Sequence, residues 1–323
     1  MKAVTYSRYG SPDVLRYTDV PEPEVGPDEV LVRVRAASLN FGDRAALRGE
    51  PRLIRVAFGL RRPKATILGR AVAGVVEAVG SGATRFAVGD RVFGEVDQHG
   101  FAELVAAPQG RLARVPDGVG FEQAATLPVA GVTALQALRL GGVRADHAVL
   151  VNGASGGVGT FAVRLAALLG AEVTAVCGAR NAEQARSLGA AHVVDRHRED
   201  VTAGAGRYDV VVDLAGDHPL SAMRELLTPT GVYVSSTGNG GRVLGPLPRL
   251  LGVVALSPFA GRRLRLLTAR PDADDLAHLA GLVATGELVP AVEWTLPLAE
   301  TAEAIRRVEA ERARGKVVLV VPA

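Results

Sequence analysis

Hydrophobic and polar positions change rhythm near residue 120. Upstream, residues 29–36 alternate as a half-buried strand, 71–79 form a second apolar run, and 90–94 follow a turn at Gly89. Prolines 12, 21, 23 and 27 and glycines 10, 26, 80, 82, 89 and 94 cut this part into short pieces. The pattern predicts a small, barrel-like β domain. Downstream, strand and helix patterns alternate. Strands are expected at 149–151, 173–176, 192–195, 209–214 and 231–235, with helices to residue 169, over 182–188 and near 220–227. Such alternation predicts right-handed crossovers onto a parallel sheet covered on both faces, an α/β doubly wound arrangement. Residues 238–261 are rich in glycine and proline and fit neither period. A strand at 265–267, helices at 272–285 and 299–310, and a last strand at 316–320 complete the pattern.

The most specific local signal is Val149-Leu150-Val151-Asn152-Gly153-Ala154-Ser155-Gly156-Gly157-Val158-Gly159. An apolar strand runs into a glycine-dense turn, and Val158, Phe161, Ala162, Leu165 and Leu169 then recur at helical spacing. Glycine permits the tight turn and the close approach of a pyrophosphate. The helix N-terminus presents unpaired N–H groups and a partial positive charge to that anion. An isolated glycine pattern is an ordinary turn; with strand and helix on its flanks it predicts dinucleotide binding. The contacts are expected from Gly153, Ala154, Ser155, Gly156, Gly157, Val158 and Gly159.

The end of the second strand distinguishes the cofactors. An NAD site needs a carboxylate there to accept from the ribose 2′-hydroxyl. Here the strand runs out as Val176-Cys177-Gly178-Ala179-Arg180-Asn181, and Glu172 lies at its other end. A guanidinium matches phosphate geometry, so Gly178 and Arg180, with Arg196 after the third strand, point to NADPH. The alternative for each arginine is a solvated surface charge.

Composition narrows the class. A chain of 323 residues exceeds the usual single-core size, so two domains are expected. No apolar run approaches the ~20 residues of a membrane helix, and the N-terminus has no apolar signal segment. A cytoplasmic protein with no membrane partner is expected. The single cysteine, Cys177, excludes an internal disulfide. A net charge of +3 with 4% aromatics gives no basic, aromatic-rich surface, so no nucleic-acid partner is expected.

Several further segments carry a family likeness. They are Asn40-Phe41-Gly42-Asp43 with Arg48-Gly49, Leu68-Gly69 leading into residues 73–80, and Val88-Gly89-Asp90-Arg91-Val92. Ala130-Gly131-Val132-Thr133-Ala134, the glycine turn, and Ala313-Arg314-Gly315-Lys316-Val317-Val318 follow. In order and spacing the chain resembles the medium-chain dehydrogenase/reductase superfamily, in its zinc-independent, quinone oxidoreductase-like branch. The resemblance implies a GroES-like β domain over 1–120, a Rossmann domain over 121–264, and a return to the first domain over 265–323. It also implies a homodimer.

Zinc-using relatives supply cysteine and histidine ligands in the first domain. Asn40 and Arg70 stand at the corresponding places, and the six histidines show no paired ligand spacing. No metal is expected. The resemblance then implies hydride transfer from NADPH to a quinone or an α,β-unsaturated carbonyl, where positioning and a hydrogen-bond donor near the carbonyl do most of the work. Asn40 is the candidate polar group beside the substrate oxygen, with Asp43 orienting its loop; the alternative is that both cap the first helix. Thr133 and Lys316 are implied at the cofactor. Gly216 and Ser236 join them because they follow the fourth and fifth strands, where ligands of such sheets bind.

The chain departs from the family at Ala71, where an acid is common. It departs again at Arg44, Arg48 and Arg52, whose spacing would share one helix face. That face is either solvated or a cationic mouth for an acidic substrate. Alternative readings are an alcohol/ketone oxidoreductase of the same superfamily and a non-catalytic NADPH-binding subunit.

Overall fold

The computed structural model describes residues 1–203, 207–236, 243–245, 247–256, 263–311 and 314–322. The chain divides into two compact units, Met1–Val132 with Pro271–Ala323, and Thr133–Arg270.

The first unit is organised around the strand Glu29–Leu39. Its length gives it neighbours on both edges. Ala71–Val79 runs antiparallel along one edge. The other edge is shared, with Leu104–Pro108 pairing its first half and Lys316–Val320 its second. Arg91–Glu95 and Leu112–Arg114 extend the sheet beyond Ala71–Val79, and Val292–Pro297 pairs in parallel with Lys316–Val320. The alternation read from sequence places Val30, Val32 and Val34 in one buried cluster with Leu47, Leu68, Val72 and Phe101. The last strand therefore returns to the first unit and lays Lys316 beside the end of Glu29–Leu39, with Val317 opposite Leu39.

The second unit is a six-stranded, wholly parallel sheet. Its order is His192–Asp195, Glu172–Cys177, Ala148–Asn152, Tyr208–Asp213, Leu227–Ser235, Arg263–Leu266. In chain order this is 3-2-1-4-5-6, the doubly wound arrangement that opens a crevice where the winding reverses, beside the first strand. Val149, Leu150, Val151 and Val210, Val211, Val212 are buried, as expected for strands covered on both faces.

Some expectations shift. The strand opening at Glu29 continues three residues past Ala36, to Leu39. Within 238–261 the described part contains a helix, Leu247–Leu256, whose pattern the prolines obscured; residues 238–242, 246 and 257–261 lie outside the described residues. The shared face of Arg44, Arg48 and Arg52 does not form. The helix Phe41–Arg48 stops at Gly49, which takes a left-handed φ of 58°. Pro51 follows, and Arg52 begins a separate turn, Arg52–Ile54. Arg48 is instead bidentate on Glu309, at 2.6 and 2.5 Å.

Candidate functional site

In the second unit the glycine turn follows Ala148–Asn152. Gly153 turns the chain at φ 89°, and the Ala154 N–H donates to Val176 O at 3.1 Å, tying the turn to the neighbouring strand. The helix Gly157–Leu168 starts directly against it: a Cβ on Gly159 would overlap the Gly153 carbonyl oxygen and the Ala154 backbone. Its first-turn N–H groups have no intrahelical partner. A glycine turn ending in a twelve-residue helix is a cradle that an anion fits.

The second and third strands end side by side, with Asp195 opposite Cys177. The Arg196 N–H donates to Cys177 O at 3.0 Å, and its Nε lies 3.3 Å from His197 Nε2. Gly178 sits against the His197 ring. Arg180, in the turn Ala179–Asn181, and Arg196 are both exposed. Glu172 opens the strand at its far end, 2.7 Å from His192. Cys177 is buried, and burial pushes its thiol upward. Gly216 and Ser236 also lie at strand ends, their N–H groups donating to Asp213 Oδ1 and Asp213 O.

Sequence reasoning missed what holds this edge together. Asp213, fully buried, accepts from Asn152 Nδ2 (2.9 Å), Gly216 N (2.9 Å) and the Tyr233 hydroxyl (2.7 Å), and is ion-paired with Arg249. Asn152 Nδ2 also reaches Asp217 at 2.8 Å. Burial and the Asp213 charge push the Tyr233 phenol upward. The signal was present in Val210-Val211-Val212-Asp213: a carboxylate closing an apolar strand is buried and needs donors. Thr133, nearly buried, is the second residue of the helix Val132–Gly141.

Just before that helix, the first unit contains Val129 at φ 62°. A β-branched residue there is strained, and such strain gathers at functional sites.

Also in the first unit, Asn40, Asp43 and Lys316 form one buried cluster. Asp43 caps the helix Phe41–Arg48 by accepting from Asn40 N at 2.8 Å. The Asn40 side chain does not cap. Its Oδ1 accepts from Lys316 Nζ at 2.6 Å and its Nδ2 donates to Ser38 O at 2.9 Å. Lys316 Nζ also donates to Leu39 O at 2.9 Å. Burial raises Asp43 to about 6 against the Asn40 N–H, Lys316 and Arg70, and burial lowers Lys316 to about 7 against Asp43. Among the described residues, Asp43 Oδ1 and Ser38 Oγ have no hydrogen-bond partner although both are buried.

Arg70 is ion-paired with Glu95, whose carboxyl is raised by burial. Glu95 lies opposite Ala71 across the ladder, so the acid missing at position 71 comes from the neighbouring strand. Among the described residues no group of three or more His, Cys, Asp or Glu could hold a metal ion. Arg44 stacks over Phe41 at 5.0 Å.

A doubly wound parallel sheet joined in one chain to a β-rich unit with a buried polar cluster is an arrangement in which dinucleotide-dependent oxidoreductases are built. Comparison with known proteins places the chain within it. Residues 26–134 match the alcohol dehydrogenase GroES-like domain, and residues 188–319 match a zinc-binding dehydrogenase model. The chain is 33% identical to a chloroplast envelope quinone oxidoreductase homolog of Arabidopsis thaliana, over 99% of this chain and 98% of that one. The structure of the quinone oxidoreductase from Coxiella burnetii matches at a TM-score of 0.89 and 30% identity, covering 100% and 99% of the two chains. The Escherichia coli quinone oxidoreductase complexed with NADPH shares the fold, at a TM-score of 0.85 and 24% identity over 99% and 100%. The chain belongs to the medium-chain dehydrogenase/reductase superfamily, in its quinone oxidoreductase-like branch.

Proposed function

We propose that the protein is an NADPH-dependent, zinc-independent reductase of quinones or α,β-unsaturated carbonyls. The observation that carries this reading is the Asn40 amide. It is buried, held on one edge by Lys316 and Ser38, and has one N–H unspent. The places corresponding to the zinc ligands hold an amide and a guanidinium already paired with Glu95. That donor set does not fit zinc.

The second unit's turn fits a dinucleotide, and a bound reduced nicotinamide supplies the hydride. The residues of this chain do the rest. The N–H groups of Gly157, Val158 and Gly159 hold the pyrophosphate, and Arg180 and Arg196 hold the 2′-phosphate. Asn40 donates to the acceptor's carbonyl oxygen, whose charge grows in the transition state. An amide serves this role with no proton to lose, so the acceptor takes its final proton from water or a nearby group. The NADPH complex of the Escherichia coli neighbour supports the choice of nicotinamide cofactor. Arg44, over Phe41 on the helix that Asn40 opens, is the residue for an acidic substituent on the acceptor.

The test is NADPH oxidation at 340 nm with a panel of quinones and enones, alongside calorimetry with NADPH and NADH. Tight NADPH binding with an inert panel would favour a non-catalytic binding role. Turnover of simple alcohols or ketones, with zinc present in stoichiometric amount, would favour the alcohol/ketone reading.

A further inference from the structure

Lys316 is the only buried lysine of the three in the chain; Lys2 is partly exposed and Lys64 exposed. Removing an ammonium from water costs several kcal/mol, and nothing in the packing of the strand Lys316–Val320 requires it. A methionine would fill similar space. Its ammonium spends two donors inside the protein, on Leu39 O and Asn40 Oδ1.

The chemistry of the partners fixes the Asn40 amide. An ammonium only donates, so the atom facing Lys316 is the amide oxygen; a backbone carbonyl only accepts, so the atom facing Ser38 O is the nitrogen. The flipped amide would set NH₂ against the ammonium and oxygen against oxygen. The main chain of the same residue is fixed too, its N–H on Asp43 Oδ2 and its carbonyl accepting from Asp43 N at 3.1 Å.

We propose that Lys316 is a positioning residue. It locks the Asn40 amide in the orientation that leaves an N–H, not a carbonyl oxygen, available to an acceptor oxygen. The proposal rests on the functional reading for the identity of that acceptor, but not for the lock itself. Two of the three ammonium donors are spent on the first unit's own backbone and side chain. The lock depends on charge. Asp43 is the charged group acting on Lys316, and Asp43 is in turn held by Arg70, which pairs with Glu95. Once Lys316 is a neutral amine it can accept as well as donate, so its half of the lock is released and only Ser38 O still opposes the flipped amide.

Two experiments test this, one without catalysis. With only three lysines and four asparagines in the chain, selective isotope labelling of each type gives countable signals. One lysine side chain is expected to titrate near neutral pH, far below the other two, and one asparagine amide pair to shift with the same midpoint. A lysine titrating near neutrality with all asparagine amides unmoved would overturn the lock. Three ordinary lysines would overturn the charge dependence of the lock, because Lys316 would then stay an ammonium throughout.

The second experiment compares Lys316→Met and Lys316→Gln with the wild type. In Lys316→Met, kcat is expected to fall by about 10-fold or more, as for a misaimed oxyanion donor, with the NADPH Kd unchanged. Any falling limb of the wild-type pH profile near 7 should vanish. Lys316→Gln, which keeps an NH₂ donor without the charge, should recover part of the loss. A weakened NADPH Kd with kcat preserved would make Lys316 a cofactor residue and overturn the proposal. If the wild type turns over no acceptor, the functional reading fails, and the labelling experiment still decides the lock. Should Lys316→Met fail to fold, the wild-type titration and Lys316→Gln still decide between a lock and a cofactor contact.

Discussion

Replacing Arg249 by methionine tests whether the network at the sheet edge is dry and shared. Arg249 lies on the helix Leu247–Leu256, which packs beside the last strand of the sheet. Its guanidinium contacts Asp213, the Tyr233 hydroxyl at 2.6 Å and the His218 carbonyl at 2.5 Å. Asp213 has no exposed surface. Without Arg249 its Oδ2 keeps, among the described residues, only the Tyr233 hydroxyl. Stranding a buried charge in this way costs about 3–5 kcal/mol. For a chain this long each kcal/mol moves the melting point by roughly 2–4 °C, so a fall of roughly 10 °C is expected. The double variant Asp213→Asn with Arg249→Met removes both charges and should recover at least half of that loss, which gives a positive coupling energy. Because Asp213 Oδ1 also holds Gly216 N and Asn152 beside the glycine turn, NADPH should bind Arg249→Met roughly ten-fold more weakly. Thermal unfolding of both variants and of Asp213→Asn alone, with NADPH calorimetry, supplies the numbers. A loss below about 1 kcal/mol for Arg249→Met would refute the reasoning, because it would mean that water reaches the carboxylate.

Gly159→Ala should cost stability and cofactor affinity together, since the new Cβ meets only backbone atoms that cannot swing aside; a melt unchanged within error would show that the turn relaxes. Arg180→Ala combined with Arg196→Ala should weaken NADPH by tens-fold and leave NADH unchanged, whereas Gly178→Asp should favour NADH; equal losses for both cofactors in calorimetry would remove the 2′-phosphate assignment. The Asp43 and Lys316 pair predicts a dip in stability near neutral pH. Asp43, raised to about 6, binds more protons folded than unfolded between about 4 and 6, so its contribution is lost as pH rises through 6. Lys316, lowered to about 7, binds fewer protons folded than unfolded between about 7 and 10.5, so its contribution returns as pH climbs through that range. Urea unfolding of the wild type against the double variant Asp43→Asn with Lys316→Met should show that dip flattened in the variant; parallel curves would contradict it.

What could be read from sequence, and what could not, follows from the range of each interaction. The buried strands of the parallel sheet were legible because Val149-Leu150-Val151 and Val210-Val211-Val212 need no alternation when both faces are covered. The glycine turn was legible because strand, turn and helix are adjacent in sequence. Asn40 and Asp43 were visible as cap-like residues, yet their division of labour was not. Asp43 caps the helix, while the Asn40 side chain is claimed by Lys316, 276 positions away. Glu95 answers Arg70 across a ladder that no local pattern announces, and Arg249 reaches Asp213 from a helix whose prolines hid it. The arginine face failed for the opposite reason. Spacing of four was correct, but the left-handed turn at Gly49 and then Pro51 ended the helix before Arg52 could join it.

The same contrast explains where chemistry sits in this chain. Local signals located the glycine turn proposed as the cofactor cradle, whose donors would be backbone N–H groups that any sequence supplies once the turn forms. The proposed acceptor side is different: the atom assigned to it is a single amide N–H, on a residue hydrogen-bonded by Lys316 on the last strand and by Asp43 on the first helix. Changes elsewhere in the first unit can leave the Asn40 amide in place and still misaim it through either partner. If the proposed role of Asn40 holds, turnover of this chain should therefore respond to Lys316→Met and Asp43→Asn without any change to the glycine turn.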